Sequence, residues 1–214
     1  MKTYASGEIN AMHLLVFRSA KFTFMLLLCI MLPLAVEIDT VLGIWLKEVP
    51  VYTNIFVCLM LVICMIDSVS NPFMTAAAAT GKVKIYQSMI GGILISIVPI
   101  AYIVLKLGGN PYSVFYVHIV VGLIAYTARL LIVRGLIKLS IREYIANVII
   151  PCVLVLLPSA LFAVFVKHLM PEGLLFTFMN IAIIITVTAI ISFLLGLNKH
   201  ERTFILNKVK MVRG

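Results

Sequence analysis

Residues 51–84 read VYTNIFVCLMLVICMIDSVSNPFMTAAAATGKVK, and the fold turns on how this stretch is solvated. Its first half is an almost unbroken apolar run. An α-helix rises about 1.5 Å per residue and the hydrocarbon of a bilayer is about 30 Å thick, so about twenty such residues cross it. A barrel strand would alternate apolar and polar positions, and this run does not. Residues 51–79 therefore read as one membrane-spanning helix. In its middle stand Asp67, Ser68, Ser70, Asn71 and Pro72. A proline removes a backbone donor and pushes the residue before it out of the helical region. The sequence thus predicts a break at Asn71 and Pro72. Small residues follow, which permit close helix contact, and Gly81-Lys82-Val83-Lys84 makes a short basic turn.

Outward from this stretch the pattern repeats. Further apolar runs at 22–36, 85–105, 114–133, 144–166 and 174–197 bring the predicted spans to six. The first continues through Glu37 and Asp39 into a short apolar piece, 40–46. Hydrophobic residues make up 63% of the 214 and charged residues 12%, against about half and about a quarter in soluble domains. Lipid is the solvent that accommodates this excess. The expected class is an all-α polytopic membrane protein. Its expected parts are an amphipathic lead-in at 1–21, a six-helix lobe at 22–197 and a basic tail at 198–214.

The cations sort by segment. Fourteen of the seventeen Lys and Arg lie in or beside alternate segments: Lys2, Arg18 and Lys21; Lys82 and Lys84; Arg129, Arg134, Lys138 and Arg142; Lys199, Arg202, Lys208, Lys210 and Arg213. Only Lys47, Lys106 and Lys167 fall in the others. The positive-inside rule then places both termini in the cytoplasm. Trp45, Tyr52, Tyr102, Tyr112 and Tyr116 fall where an outer aromatic belt belongs, and Tyr86 and Tyr144 near an inner one. The net charge of +9 is carried at span ends, beside anionic headgroups, and no nucleic-acid motif accompanies it. Nucleic acid is not an expected partner. Membrane lipids are.

Ionisable groups at span depth cost at least about 2.5 kcal/mol at the helix centre, so they invite a functional reading. Asp67 is the deepest and is a candidate for coupling to an ion. The alternative is that it caps a helix fragment or pairs with Ser70 and Asn71. Glu37 and Asp39 are weaker coupling candidates. They equally suit a bend, with Asp39 capping the short piece after it. Arg129 lies inside a span, where its forked donors suit a phosphate or where it snorkels to the headgroups. His118 reads as a packing residue. Cys29, Cys58, Cys64 and Cys152 lie in apolar runs with no metal-ligand spacing. They read as small packing residues. No cofactor is expected. Catalytic signatures such as GxSxG, HExxH or a Walker loop do not occur, so no enzymatic activity is expected either.

The strings PLAVEIDTVLGIWLKEVPVYTNIF (33–56) and IDSVSNPFMTAAAATGKVKIYQ (66–87), with RLLIVRGLIKLSIREYI (129–145), resemble the Wzx-type O-antigen and polysaccharide flippases. These belong to the multidrug/oligosaccharidyl-lipid/polysaccharide exporter superfamily. The resemblance is to the second lobe and covers most of the chain. It implies a MATE-like fold, with two six-helix lobes about a central cavity in the inner (plasma) membrane. It also implies transfer of undecaprenyl-pyrophosphate-linked oligosaccharide between leaflets, with H+ or Na+ as coupling ion in some relatives. On the reading of the chain as a transporter half, Arg129 and the basic mouth of Arg18, Lys21, Lys82 and Lys84 would meet the pyrophosphate, and Asp67 would sense the ion; the resemblance alone assigns neither Asp67 nor Arg129 a role. A first lobe or a second copy would complete the cavity. The other reading is a non-transporting membrane scaffold or degenerate fragment of such a transporter.

Overall fold

The computed structural model describes residues 9–46, 48–171, 173–198 and 201–203. Among them there is no strand, and six helices are long and apolar enough to cross a membrane. The first is α1 (Ile9–Val36). After a one-residue turn at Glu37 comes the short α2 (Ile38–Trp45). The second span is α3 (Thr53–Ala79). The third is a pair of shorter helices, α4 (Val83–Ile95) and α5 (Ile97–Lys106). The fourth is α6 (Ser113–Ile137). The fifth begins as α7 (Ile141–Tyr144), passes through a π-helical segment (Ile145–Ile149) and continues as α8 (Ile150–Leu169). The sixth is α9 (Leu174–Ile191), extended by a second π-helical segment (Ser192–Gly196).

Three prolines show how far local rules reach. At Pro99 the third span is interrupted. The helix stops at Ile95 and restarts at Ile97, while the Ser96 hydroxyl donates to Ile93 O at 2.6 Å. Pro151 is the second residue after the π-helical segment. A proline ring cannot donate and crowds the carbonyl one turn back, and a widened turn relieves both. Pro72 behaves differently. The break expected at Asn71 and Pro72 is absent, and α3 runs unbroken with Pro72 inside it. Neighbouring helices and serine hydroxyls sustain such a helix in lipid. Here the Ser68 hydroxyl donates to Met65 O and the Ser70 hydroxyl to Asp67 O. Phe73, Ala76 and Ala77 are buried just beyond.

The lead-in expected at 1–21 is not a separate helix from residue 9 onward. His13, Arg18 and Lys21 ride on the first turns of α1 itself. At 28 residues, α1 is about 42 Å long and overhangs the hydrocarbon.

The core lies where α1, α3, α6 and α8 meet, around Phe17, Phe73 and Tyr144. Tyr86 and Tyr144, expected as inner interfacial anchors, are buried. Tyr144 packs its ring on Phe73 and Phe17, accepts from the Tyr126 hydroxyl at 3.1 Å and donates to Val69 O at 3.4 Å. At the opposite end the aromatic belt holds. Trp45, Tyr52, Tyr102 and Tyr116 are exposed. Tyr52, Tyr112 and Tyr116 form a chain of edge-to-face rings, and Phe56 stacks on Phe115 at 5.2 Å between centroids. These contacts tie the start of α3 to the start of α6.

Candidate functional site

Asp67 lies fourteen residues into α3, about 21 Å from its start and so near mid-membrane. Arg129 lies on α6, eight residues before that helix ends at Ile137. α3 and α6 pack along each other, and Arg129 Nη1 comes to 3.5 Å from Asp67 Oδ1. The same nitrogen donates to the Ser70 hydroxyl. Arg129 is therefore neither snorkelling freely nor separate from Asp67. Two residues read as distinct candidates form one ion pair.

The pair is lopsided. The Arg129 side chain is 15% exposed and that of Asp67 is 53% exposed. Arg129 Nε is shielded and has no hydrogen-bond partner. A small cavity of about 70 Å³ lies against the pair, lined also by His118, Gly122 and Leu94. His118, read from the sequence as packing, thus shares a cavity with Asp67 and Arg129. It stands eleven residues before Arg129, three helical turns away, so it lies on the same face of α6. That spacing was the available signal. The alternative pairing of Asp67 with Ser70 and Asn71 is met only in part, because Ser70 bonds the Asp67 backbone carbonyl and not its carboxylate.

The other candidates are held elsewhere. Glu37 is 1% exposed and accepts from Lys167 Nζ at 2.5 Å. Its second oxygen accepts from Asn180 Nδ2. The turn at Glu37 thereby clasps α1 to α8 and α9. Glu37 does mark the expected bend, and it makes no side-chain cap to α2. Asp39 is no cap either. It lies in the first turn of α2 and accepts from Asn54 Nδ2. Asn180 belongs to a stripe at three- and four-residue spacing, with Thr177, Ile184, Thr188 and Ser192, that forms the buried face of α9 and its extension. That stripe was legible and went unread.

The basic mouth divides in two. Lys82 and Lys84 are exposed at the α3–α4 turn. Lys21 is 2% exposed and bound to Glu201 Oε2 at 2.6 Å, with Arg18 Nε 3.7 Å from Glu201 Oε1. Glu201 also accepts the Asn198 backbone N–H at 2.9 Å. Lys21 is thus committed within the fold, and neither it nor Arg18 is brought to Arg129. Lys2, Lys47, Lys199, Lys208, Lys210 and Arg213 lie outside the described residues.

Between α1, α3, α6 and the fifth span runs an open-sided groove of about 490 Å³. Its walls are apolar: Phe24, Leu28 and Met31 on one side, Val62 and Met65 on another, and Leu156 behind. All four cysteines are unpaired. Among the described residues no three His, Cys, Asp or Glu side chains converge as a metal site would require.

Fold and side-chain placement together define a multi-pass α-helical membrane protein with one half-open charge pair at mid-span. No family model, curated protein or solved structure matches the chain.

Proposed function

We propose that this chain is one lobe of a MATE-like transporter in the plasma (inner) membrane, both termini cytoplasmic, that moves a lipid-linked oligosaccharide of the undecaprenyl-pyrophosphate type between leaflets. The observation that carries this reading is the exposure of the Asp67 carboxylate at mid-membrane depth. A charge facing hydrocarbon there is costly, and such groups face a protein partner or a water-filled cavity. A second lobe, from another chain or a second copy, supplies that partner and encloses the cavity. The Wzx-like strings at 33–56, 66–87 and 129–145, the charge asymmetry and the apolar groove support the same reading.

The chemistry follows from the pair. When Asp67 takes a proton or a sodium ion, Arg129 loses its counter-charge and turns its forked donors to the pyrophosphate. When Asp67 gives the ion up, the pair re-forms and the phosphate leaves. Lys82 and Lys84, exposed at the basic end of α3, meet the pyrophosphate on entry. The groove takes part of the polyprenyl chain.

The test is complementation of a flippase-deficient strain by the chain with a supplied first lobe. Asp67→Asn is expected to lower surface polysaccharide at least about tenfold, the factor that about 1.4 kcal/mol of lost coupling gives. Its level in the membrane should stay normal. Full complementation by Asp67→Asn would remove Asp67 from the mechanism.

A further inference from the structure

The start of α1, the α7 region and the segment after α9 enclose a second pocket, of about 280 Å³. It is unlike the apolar groove, being lined by Asn10, His13, Arg18, Glu143, Asn147 and Asn198 above a floor formed by the Lys21–Glu201 pair. Its depth follows from helix length. About twenty residues counted back from Val36 fill the hydrocarbon and end at Phe17. Asn10 and His13 therefore sit at headgroup level, and Arg18 at the hydrocarbon edge, where its long side chain reaches the headgroups.

The charges of the pocket balance in a particular way. Lys21 and Glu201 neutralise each other at 2.6 Å. Glu201 spends further capacity on the Asn198 N–H. Arg18 stands 3.7 Å from that carboxylate, beyond hydrogen-bond reach, and its Nε is shielded with no hydrogen-bond partner. Glu143 makes no ion pair among the described residues. Two cations, Arg18 and Lys21, thus share the one Glu201 carboxylate, and among the described residues Glu143 adds an anion without an ion pair to the same concave space. His13 Nε2 is occupied by Ile137 O at 2.7 Å, and Asn147 Nδ2 by Glu143 O at 2.8 Å, so the walls are fixed. The volume holds about nine waters at about 30 Å³ each.

We infer that this pocket binds a zwitterionic phosphoethanolamine headgroup of a membrane lipid, with the phosphate on Arg18 and the ammonium on Glu143. A purely anionic headgroup satisfies Arg18 and meets Glu143 as a like charge. A zwitterion satisfies both. The site stands apart from the Asp67–Arg129 pair, and the inference holds whether or not the chain transports anything.

Native mass spectrometry of the detergent-purified full chain tests it, with phosphatidylethanolamine and phosphatidylglycerol added in equal amounts. The wild type is expected to retain phosphatidylethanolamine over phosphatidylglycerol by about fivefold, the scale of one exposed charge pair. Glu143→Gln should erase that preference and leave binding of phosphatidylglycerol. Arg18→Gln should lower retention of both. Arg142→Gln, an exposed neighbour outside the pocket, should change neither. Equal retention by the wild type would overturn the inference, as would a preference untouched by Glu143→Gln. Binding of soluble glycerophosphoethanolamine with no retention of the lipid would overturn the lipid as its ligand. Unaltered thermal unfolding of Glu143→Gln, whose side chain is exposed, shows that a lost preference is not a lost fold.

Discussion

The α1/α8/α9 side of the bundle and the α3/α6 side both carry charge, and they treat it in opposite ways. On the first side two carboxylates are buried and met by cations: Glu37 by Lys167, with Asn180 on its other oxygen, and Glu201 by Lys21. On the second, Asp67 keeps about half its side-chain surface open while its partner Arg129 is largely covered. Buried, fully partnered charges act as clasps, because removing one member strands the other in a low dielectric. A half-open pair at mid-span is not sealed by its own lobe and stays free to exchange its partner. The difference separates charges that hold the fold from charges available to do work.

Breaking a clasp should therefore cost more than breaking the open pair. The largest effect is expected for Lys21→Met, which leaves Glu201 buried with the Asn198 N–H and the half-exposed Arg18 at 3.7 Å. A loss of about 3–5 kcal/mol, read as a lowered Tm in detergent, is the expected outcome. The double variant Lys21→Met/Glu201→Gln should recover most of it, since no charge is then stranded. Glu37→Gln should cost less, about 1–2 kcal/mol. The amide still accepts from Asn180, and Lys167 is 46% exposed and can turn to water. Surface-polysaccharide complementation should survive in Glu37→Gln once its level in the membrane is matched to wild type. Loss of complementation at matched levels would move Glu37 from the clasps to the working charges. The smallest effect is expected for Pro72→Ala. The helix is already continuous there, so restoring a donor toward Ser68 O should change stability by no more than about 1 kcal/mol and leave complementation intact.

Much of this was legible because lipid imposes a length on every crossing. The six spans follow from runs of about twenty apolar residues, and the turn at Gly81 from the basic break between two of them. At Pro99 the helix is interrupted, as a proline's missing donor favours. At Pro72 it is not, because buried residues on both sides of it, Ile63 and Val69 before and Phe73, Ala76 and Ala77 after, hold the two halves of α3 in line. Pairings were the illegible part. Lys21 and Glu201 are 180 residues apart, and Glu37 and Lys167 are 130 apart. No periodicity in one helix says which neighbour its charge will face. Asp67 and Arg129 were each singled out by their depth, yet their union depends on how α3 packs on α6. Tyr86 and Tyr144 show the same limit, since position along a span set their depth but not which way they turned.

The central claim is that position 67 opens to water within the working transporter and position 37 does not. In a variant with Cys29, Cys58, Cys64 and Cys152 replaced, Asp67→Cys and Glu37→Cys can each be treated with N-ethylmaleimide in intact cells. A thiol must ionise to react, and it does so in water rather than in a dry interface. The account predicts rapid labelling at position 67 and protection at position 37. Protection at 67, or equal labelling at both, would contradict it.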